Sequence, residues 1–212
     1  MAATSALHEE VLHMEFLARA GRGFLRRYHW AWMDTDDAVA LAAVDDHEVV
    51  VGFLLGALRP AGHFRSMVRR HGPQLAGALL IAAIRRPSFG RELVTTRLVR
   101  YVRGLGRMAW ATANGRRRRP PGGGPVPTAT QRAVGEVTHV LVRPDLQGSG
   151  AGRALLDAAA AASRAAGVEE LMLVTPPELS GAVGFYEHLG WEHAGRLTSR
   201  SGEDFLRFRL PL

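Results

Sequence analysis

Residues 136–159 read EVTHVLVRPDLQGSGAGRALLDAA, and this stretch decides the fold. The β-branched residues up to Val142 predict a strand, Pro144 ends that strand, and the alanine-rich segment from Ala151 predicts a helix. Between the strand and the helix lies QGSGAG, residues 147–152, in which every second residue is glycine. The order of strand, glycine-rich loop and helix predicts one βα unit.

The glycine-rich loop has the properties of an anion site. Glycines let backbone N–H groups turn toward one point, and the first turn of a helix has unpaired N–H groups with a partial positive charge. Together they predict a phosphate or diphosphate site, with a plain tight βα turn as the alternative. The chain has no lysine, which excludes an NTPase phosphate loop. The order Gly148-x-Gly150-x-Gly152 also differs from the Gly-x-Gly-x-x-Gly of dinucleotide-binding units.

Two segments carry a resemblance to a known family. Residues 142–152, VRPDLQGSGAG, resemble the acyl-CoA-binding motif Gln/Arg-x-x-Gly-x-Gly/Ala of the GNAT superfamily of N-acetyltransferases. Residues 184–191, GFYEHLGW, are similar to that family's Phe-Tyr-Glu-x-Leu-Gly-Phe segment. The resemblance is close over 134–212 and fair over 6–58, and it fails over 59–133.

The resemblance implies an α/β (α+β) fold, with a GNAT-like mixed, splayed β-sheet flanked by helices. Its first strand is expected to be short or missing, because only about five residues precede the first predicted helix. The implied cosubstrate is acetyl-CoA or another acyl-CoA, and no metal is expected. The expected contacts are backbone groups, at Val140, Leu141 and Val142 for the pantetheine arm, and at Gln147, Gly148, Ser149, Gly150, Ala151, Gly152 and Arg153 for the diphosphate.

Tyr186 is the candidate general acid. It matches the family tyrosine that stands near the thioester sulfur, and a phenol can donate a proton to a departing thiolate. The alternative is a packed aromatic ring whose hydroxyl bonds elsewhere. The family asparagine that helps to hold the donor, seven residues before this tyrosine, is replaced here by Leu179.

Glu136 is the candidate general base. It lies eleven residues before Gln147, as in family members whose base is a glutamate on the fourth strand. Strict alternation puts Thr138 on the same face, where it can order a water, and turns His139 to the other face unless a β-bulge intervenes. A solvent-exposed Glu136, a water-mediated proton transfer and His139 as the base remain alternatives. Val174 occupies the fifth-strand position where other family members carry their glutamate.

The rest of the chain gives weaker structural patterns. Apolar spacing predicts a helix over 6–20, a second over about 24–33, and helical pieces over 60–113 that break at Gly72-Pro73, at Pro87 and near residue 104. Strands are predicted at 38–44 and 48–58 as a hairpin, and at 134–142, 168–175, 191–197 and 204–210. Two further helices are predicted at 151–166 and 179–189, and a Pro/Gly-rich loop at 114–130.

The positive charge is concentrated in one segment. All 27 basic residues are arginine, and sixteen of them lie in 59–133 beside a single acid, Glu92. We therefore interpret the chain as a single GNAT-like domain, 1–212, with a basic helical insertion and loop at 59–133. Such a segment attracts anionic partners. Three functions fit this segment: it can cover the acceptor, dock an acidic acyl carrier protein or lie on an anionic membrane surface. The remaining alternative is that its arginines are ordinary surface charge.

Several classes of protein are excluded or disfavoured. The chain has no cysteine, which rules out disulfides and a cysteine nucleophile. Residues 8–13 resemble a zinc motif, but their two histidines are five positions apart and diverge on a helix. The start of the chain does not resemble a signal peptide, and the apolar run at 75–84 is about half of a bilayer span, so we expect a cytoplasmic protein. No nucleic-acid recognition module matches the basic segment.

The sequence predicts a GNAT-type N-acyltransferase that moves an acyl group from a CoA thioester to the amine of a small-molecule acceptor. One alternative takes the acyl group from an acyl carrier protein in specialised metabolite biosynthesis. An alternative of another class is a non-catalytic acyl-CoA sensor or a nucleic-acid-binding module.

Overall fold

The computed structural model describes residues 2–11, 16–94, 132–199 and 202–212. The helices of these ranges are α1 (Ala2–Val11), α2 (Phe16–Arg19), α3 (Arg22–Met33), α4 (Pro60–Arg85), α5 (Pro87–Glu92), α6 (Ala151–Ala165) and α7 (Ser180–His188). The strands are β1 (Ala38–Val44), β2 (Val50–Ala57), β3 (Val134–Val142), β4 (Glu170–Thr175), β5 (Glu192–Thr198) and β6 (Asp204–Pro211).

The strands form one sheet in the order β1-β2-β3-β4-β6-β5. Neighbouring strands are antiparallel except β3 and β4, which run parallel. β3 and β4 pair only from Val134 opposite Glu170 to Glu136 opposite Met172. Beyond Glu136 the two strands separate, which leaves a gap in the middle of the sheet. The predicted mixed, splayed sheet flanked by helices is therefore confirmed.

The sheet begins with a hairpin instead of an isolated first strand. The described residues before Ala38 contain α1, α2 and α3 and no strand, as the short N-terminal segment predicts. The hairpin turn is organised by Asp45, whose carboxylate accepts hydrogen bonds from the backbone N–H groups of His47 at 2.9 Å and Val49 at 3.0 Å. An aspartate that bonds to the backbone after it favours such a turn.

The main core lies between the sheet and α6. The buried positions of α6 recur at helical spacing, so one apolar stripe faces the sheet. Leu54 of β2, Val137 of β3 and Phe208 of β6 pack in the same cluster. The residues of α6 that form the stripe are Leu155, Leu156, Ala159, Ala160 and Ser163.

The predicted break at Gly72-Pro73 is wrong, because α4 runs through both residues. A proline normally disfavours the helical conformation of the residue before it, partly through a clash with that residue's Cβ. Gly72 has no Cβ, so this part of the clash is absent. The predicted helix over 6–20 is divided into α1 and α2, and residues 12–15 lie outside the described ranges. The predicted loop at 114–130 also lies outside them.

The chain separates into two compact units. The first comprises Met1–Leu79 and Arg132–Leu212 and contains the whole sheet. The second, Leu80–Gln131, is described only over the end of α4 and α5. There a Cβ on Gly90 would lie 2.8 Å from the carbonyl oxygen of Ala83, so glycine is required for this close approach. None of the described helices is long and apolar enough to cross a membrane.

Candidate active site

The glycine-rich loop connects β3 to α6 with two residues in a conformation that favours glycine. After a single 3-10 turn, Pro144–Leu146, the chain reaches Gly148 at φ 83° and Gly150 at φ 91°. Gly150 is the N-cap of α6 and makes no side-chain cap. A Cβ on either glycine would meet no atom within 4 Å. Backbone conformation therefore requires these glycines, and open space lies in front of them.

The loop leaves several N–H groups available. Gln147 donates to the carbonyl of Pro144 at 3.3 Å, and Ser149 donates to that of Leu146 at 3.2 Å. The first intrahelical bond of α6 comes from Ala154, and the Ala151 N–H lies 3.5 Å from the Ser149 hydroxyl. The N–H groups that no described residue accepts belong to Gly148, Gly150, Gly152 and Arg153. They lie at the positive end of α6, where a diphosphate binds favourably.

A cleft of about 560 Å³ runs from this loop along the open edge of β3. Val140 and Val142 form one wall, and the glycine-rich loop forms one end. The opposite wall comes from α7 and contains Phe185 and Tyr186. The predicted donor-binding residues found in the lining are Val140, Val142, Gln147, Gly148, Gly150, Gly152 and Arg153. The side chain of Leu141 is instead buried, so this residue can contribute only its backbone.

Gly152 lets α6 approach α7 closely. A Cβ at this position would lie 3.1 Å from Cζ of Phe185 and 3.6 Å from Cγ2 of Val142. The first contact is tighter than ordinary van der Waals packing, so a larger residue would displace the Phe185 ring. The glycine thereby fixes the width of the cleft between the loop and the tyrosine next to Phe185.

Tyr186 lies in the cleft wall on a packed aromatic base. Its ring centroid is 5.5 Å from that of Phe185, 6.0 Å from that of Trp191 and 5.7 Å from that of Phe208. Burial raises the pKa of the Tyr186 phenol to about 12. The hydroxyl therefore keeps its proton at neutral pH, and no described residue forms a hydrogen bond with it. A protonated phenol that faces a cleft can serve as a general acid.

Glu136 lies where the sheet opens. It is the last β3 residue that pairs with β4, and it borders a second cavity of about 330 Å³. Burial raises the pKa of the Glu136 carboxyl, and the charge of His139 partly offsets the rise. A carboxylate with a raised pKa binds a proton more tightly, which suits a general base.

A β-bulge reverses the predicted orientation of His139. The pairing of β2 with β3 passes from Leu55 opposite His139 to Gly56 opposite Val137, so Thr138 has no partner on β2. Val137 packs in the core with α6, whereas the His139 ring lies 5.0 Å from that of His8 on α1. His139 therefore lies on the same face of the sheet as Glu136, whereas strict alternation placed His139 on the opposite face. His139 is nevertheless buried and lines neither cavity, so its role as the base stays an alternative.

A row of buried histidines extends from His139, and the sequence patterns did not predict it. His8 Nδ1 lies 2.9 Å from His29 Nε2, and His29 Nδ1 lies 3.3 Å from the Thr4 hydroxyl. His8 and His29 are both fully buried. The described residues contain no group of three or more side chains able to hold a metal ion, and His13 lies outside the described ranges. His8, His29 and Thr4 instead form a hydrogen-bonded row behind β3, and the His139 ring packs against its end at His8.

Leu179 sits at the N-cap of α7 and gives no side-chain cap. Its side chain is about half exposed, at 51%. An asparagine, which the family commonly places here, would accept a hydrogen bond from the first turn of the helix. This chain therefore lacks one polar group at the edge of the donor cleft.

Known proteins share this fold and sequence pattern. A model of the acetyltransferase (GNAT) family matches residues 108–191. A protein described as a GNAT-family acetyltransferase from Desulfovibrio desulfuricans is 16% identical, with a TM-score of 0.52 over 98% of this chain and 91% of that chain. A GCN5-related N-acetyltransferase from Kribbella flavida is 13% identical, with a TM-score of 0.52 over 99% and 90%. No curated protein matches the sequence.

A sheet that opens between two parallel strands, with a glycine-rich loop at the start of the next helix, is the arrangement that this chain shares with the GNAT acetyltransferases above. Residues 108–191 match the family model, and the described residues have the fold of GNAT acetyltransferases. Nourseothricin acetyltransferase is also similar, at 15% identity and a TM-score of 0.46, and this chain spans 66% of its length. At these identities the solved structures show the fold alone.

Proposed function

We propose that the protein is an N-acyltransferase that moves an acetyl or other acyl group from a CoA thioester to the amine of a small molecule by direct attack. The observation that carries the proposal is the shared cleft. The N–H groups at the start of α6, the open edge of β3 and the Tyr186 ring all border one cavity of about 560 Å³. Each of these parts suits a different portion of an acyl-CoA molecule.

The binding step rests on backbone groups. Beyond Glu136 the edge of β3 that faces β4 has no partner strand among the described residues, so its N–H and C=O groups can pair with the amides of a pantetheine arm. The N–H groups of Gly148, Gly150 and Gly152 suit the diphosphate, and the Arg153 guanidinium adds positive charge in the same lining. These residues fit the cosubstrate that the fold family implies.

Glu136 and Tyr186 carry out the two proton transfers of the reaction. Acyl-CoA supplies a thioester whose carbonyl carbon bonds to the acceptor nitrogen while its carbon–sulfur bond breaks. Glu136, directly or through a water, accepts the proton that the nitrogen loses. Tyr186 donates its proton to the departing thiolate and recovers one from solvent. No covalent enzyme intermediate is required, and the chain has no cysteine to form one.

The test combines turnover with binding. Thiol release from acetyl-CoA is measured with a panel of small amines, and CoA binding is measured by calorimetry in the same preparations. Tyr186→Phe and Glu136→Gln should each lower kcat by about 10²- to 10⁴-fold while CoA affinity is retained. Glu169→Gln is the matched control, because Glu169 is exposed and lies outside both cavities. Wild-type turnover in both Tyr186→Phe and Glu136→Gln would refute the proposal.

The alternatives predict different results. A non-catalytic acyl-CoA sensor would bind CoA and release no thiol with any amine. The carrier-protein donor and the cytoplasmic location stay predictions. For the carrier, Arg69→Glu is a cleaner probe than a change at Arg70, because the Arg70 guanidinium donates to the backbone oxygen of Asp34 at 3.0 Å and an exchange would disturb the end of α3. Loss of activity with carrier-bound acyl groups alone would favour that donor.

A further inference from the structure

The cavity beside Glu136 opens on the face of the sheet opposite α6. Side chains of a strand alternate between the two faces, and Val137, Leu173 and Phe208 all pack in the α6 core. Their neighbours Glu136, Val174 and Arg207 therefore face the other way, into the cavity of about 330 Å³. The remaining lining of this cavity is mainly apolar and includes Met172, Leu197 and Pro60.

Arg207 stands out in this cavity because none of the acids that the structure describes is its counterion. It is half-buried, and it forms no ion pair with any described acid, Glu136 included. Residues 95–131, which the structure does not describe, contain no acidic side chain that could supply one. A guanidinium that is partly removed from water and left unpaired carries a desolvation cost.

Arg209, two residues further along the same strand and on the same face, shows the contrast. Its guanidinium lies 2.8 Å from the Glu192 carboxylate and 3.9 Å from that of Glu170. The chain thus neutralises one arginine of this face with its own acids. No described acid neutralises the other arginine, the one that borders the cavity, so its guanidinium can bind an external anion.

The two charged side chains of the cavity, Glu136 and Arg207, lie on different strands and are well separated. Glu136 and Arg209 both pair with Met172 across the sheet, whereas Arg207 pairs with Val174. Two strand spacings and a stagger of two residues put the Cα atoms of Glu136 and Arg207 about 12 Å apart. The two side chains project into one cavity between apolar walls, so a small molecule with an amine and an anionic group can meet both.

We infer that the acceptor is a small amine that also carries an anionic group, a carboxylate or a phosphate, and that Arg207 binds this group while the amine lies at Glu136. The inference rests on the proposed function, since it names the acceptor of the same site. Charge-assisted bonds between arginine and a carboxylate or phosphate are among the strong ones in proteins, and they are often bidentate.

The experiment uses paired acceptors. Leucine, 4-aminobutyrate and 5-aminopentanoate are each compared with their carboxamides, and 3-aminopropyl phosphate is compared with propylamine. Rates are expressed per neutral amine, because removal of the anion changes the amine pKa. The variants are Arg207→Met and the matched control Arg209→Met, which removes a close ion pair with the exposed Glu192 and a 3.9 Å contact with the largely buried Glu170. Arg207→Lys tests whether a positive charge is sufficient for the preference for anionic amines without the bidentate geometry of the guanidinium.

The expected result is a preference of the wild type for at least one anionic amine over its neutral partner. Arg207→Met should reduce that preference about ten- to a hundred-fold, chiefly through KM, and Arg209→Met should not reduce it. The carboxylate and phosphate arms identify which anion is preferred. Equal kcat/KM values for acids and their neutral partners, or an equal loss in both arginine variants, would overturn the inference and leave the proposed function standing.

Calorimetry separates the two possible failures. If no amine releases thiol, the proposed function fails, and the same anionic amines are titrated into the CoA-saturated wild type and Arg207→Met. Binding that the substitution removes still supports the anion site. Absence of binding by every anionic amine would overturn the inference as well.

Discussion

Substitution of Gly150 by alanine tests the anion site with a built-in control. Gly150 has φ 91° and Gly167, beyond the far end of α6, has φ 77°. A Cβ at either position would meet nothing within 4 Å. Both exchanges therefore impose only the backbone strain of the left-handed region, about 1 kcal/mol, which lowers Tm by about 2–4 °C in a chain of this size.

The two variants should differ in donor binding. The open space at Gly150 is the space that the diphosphate should fill, and the strain also reorients the N–H groups around it. Loss of one charge-assisted bond is worth about 1.5–3 kcal/mol, or about 10- to 150-fold in Kd. We therefore expect Gly150→Ala to weaken CoA binding by this factor and Gly167→Ala to leave it near the wild-type value.

The assay is isothermal titration of each folded variant with CoA and with pantetheine, which has no diphosphate. The account predicts that Gly150→Ala affects CoA far more than pantetheine. If Gly150→Ala and Gly167→Ala bind CoA equally well, or if pantetheine loses as much affinity as CoA, the diphosphate does not lie on the N-terminus of α6.

Three further outcomes are expected. Burial raises the pKa of Glu136 in the native state, so the free energy of unfolding falls as pH rises from the ordinary carboxyl range through that pKa. Glu136→Gln should therefore resist urea better than the wild type at pH 7 and lose this advantage in acid. A stability difference that does not change with pH would contradict burial of the carboxyl as its cause. Leu179→Asn should cap α7 and add about 1 kcal/mol to the free energy of unfolding, measured in urea, whereas Leu179→Ala should not. Phe208→Ala should cost about 3–5 kcal/mol in the same assay, because this ring is fully buried beneath Tyr186, and a loss below 1 kcal/mol would argue against that packing.

The local parts of the fold could be predicted from the sequence. Pro144, the alternating glycines and the alanine-rich segment after them specify the end of β3, the loop and α6 through short-range conformational preferences. The donor cleft could be predicted because its lining comes from two short segments, residues 140–153 and 181–189, each of which carries a local pattern. Tyr186 could also be predicted from the sequence, since it lies in a contiguous motif.

The acceptor side could not be predicted in this way. The bulge at Thr138 arises from the pairing of β3 with β2, and a one-residue shift in register turns His139 to the opposite face. The contrast between Arg207 and Arg209 depends on acids supplied by other strands, Glu192 and Glu170. Such features depend on residues far apart in the chain, which periodicity and composition do not report.

The position of the thioester is tested most directly by a crystal structure with bound acetyl-CoA or a non-hydrolysable analogue. We expect diphosphate oxygens within hydrogen-bond distance of the backbone N–H groups at Gly148, Gly150 and Gly152, with the sulfur beside the Tyr186 hydroxyl. A diphosphate bound elsewhere, or a sulfur remote from Tyr186, would contradict it.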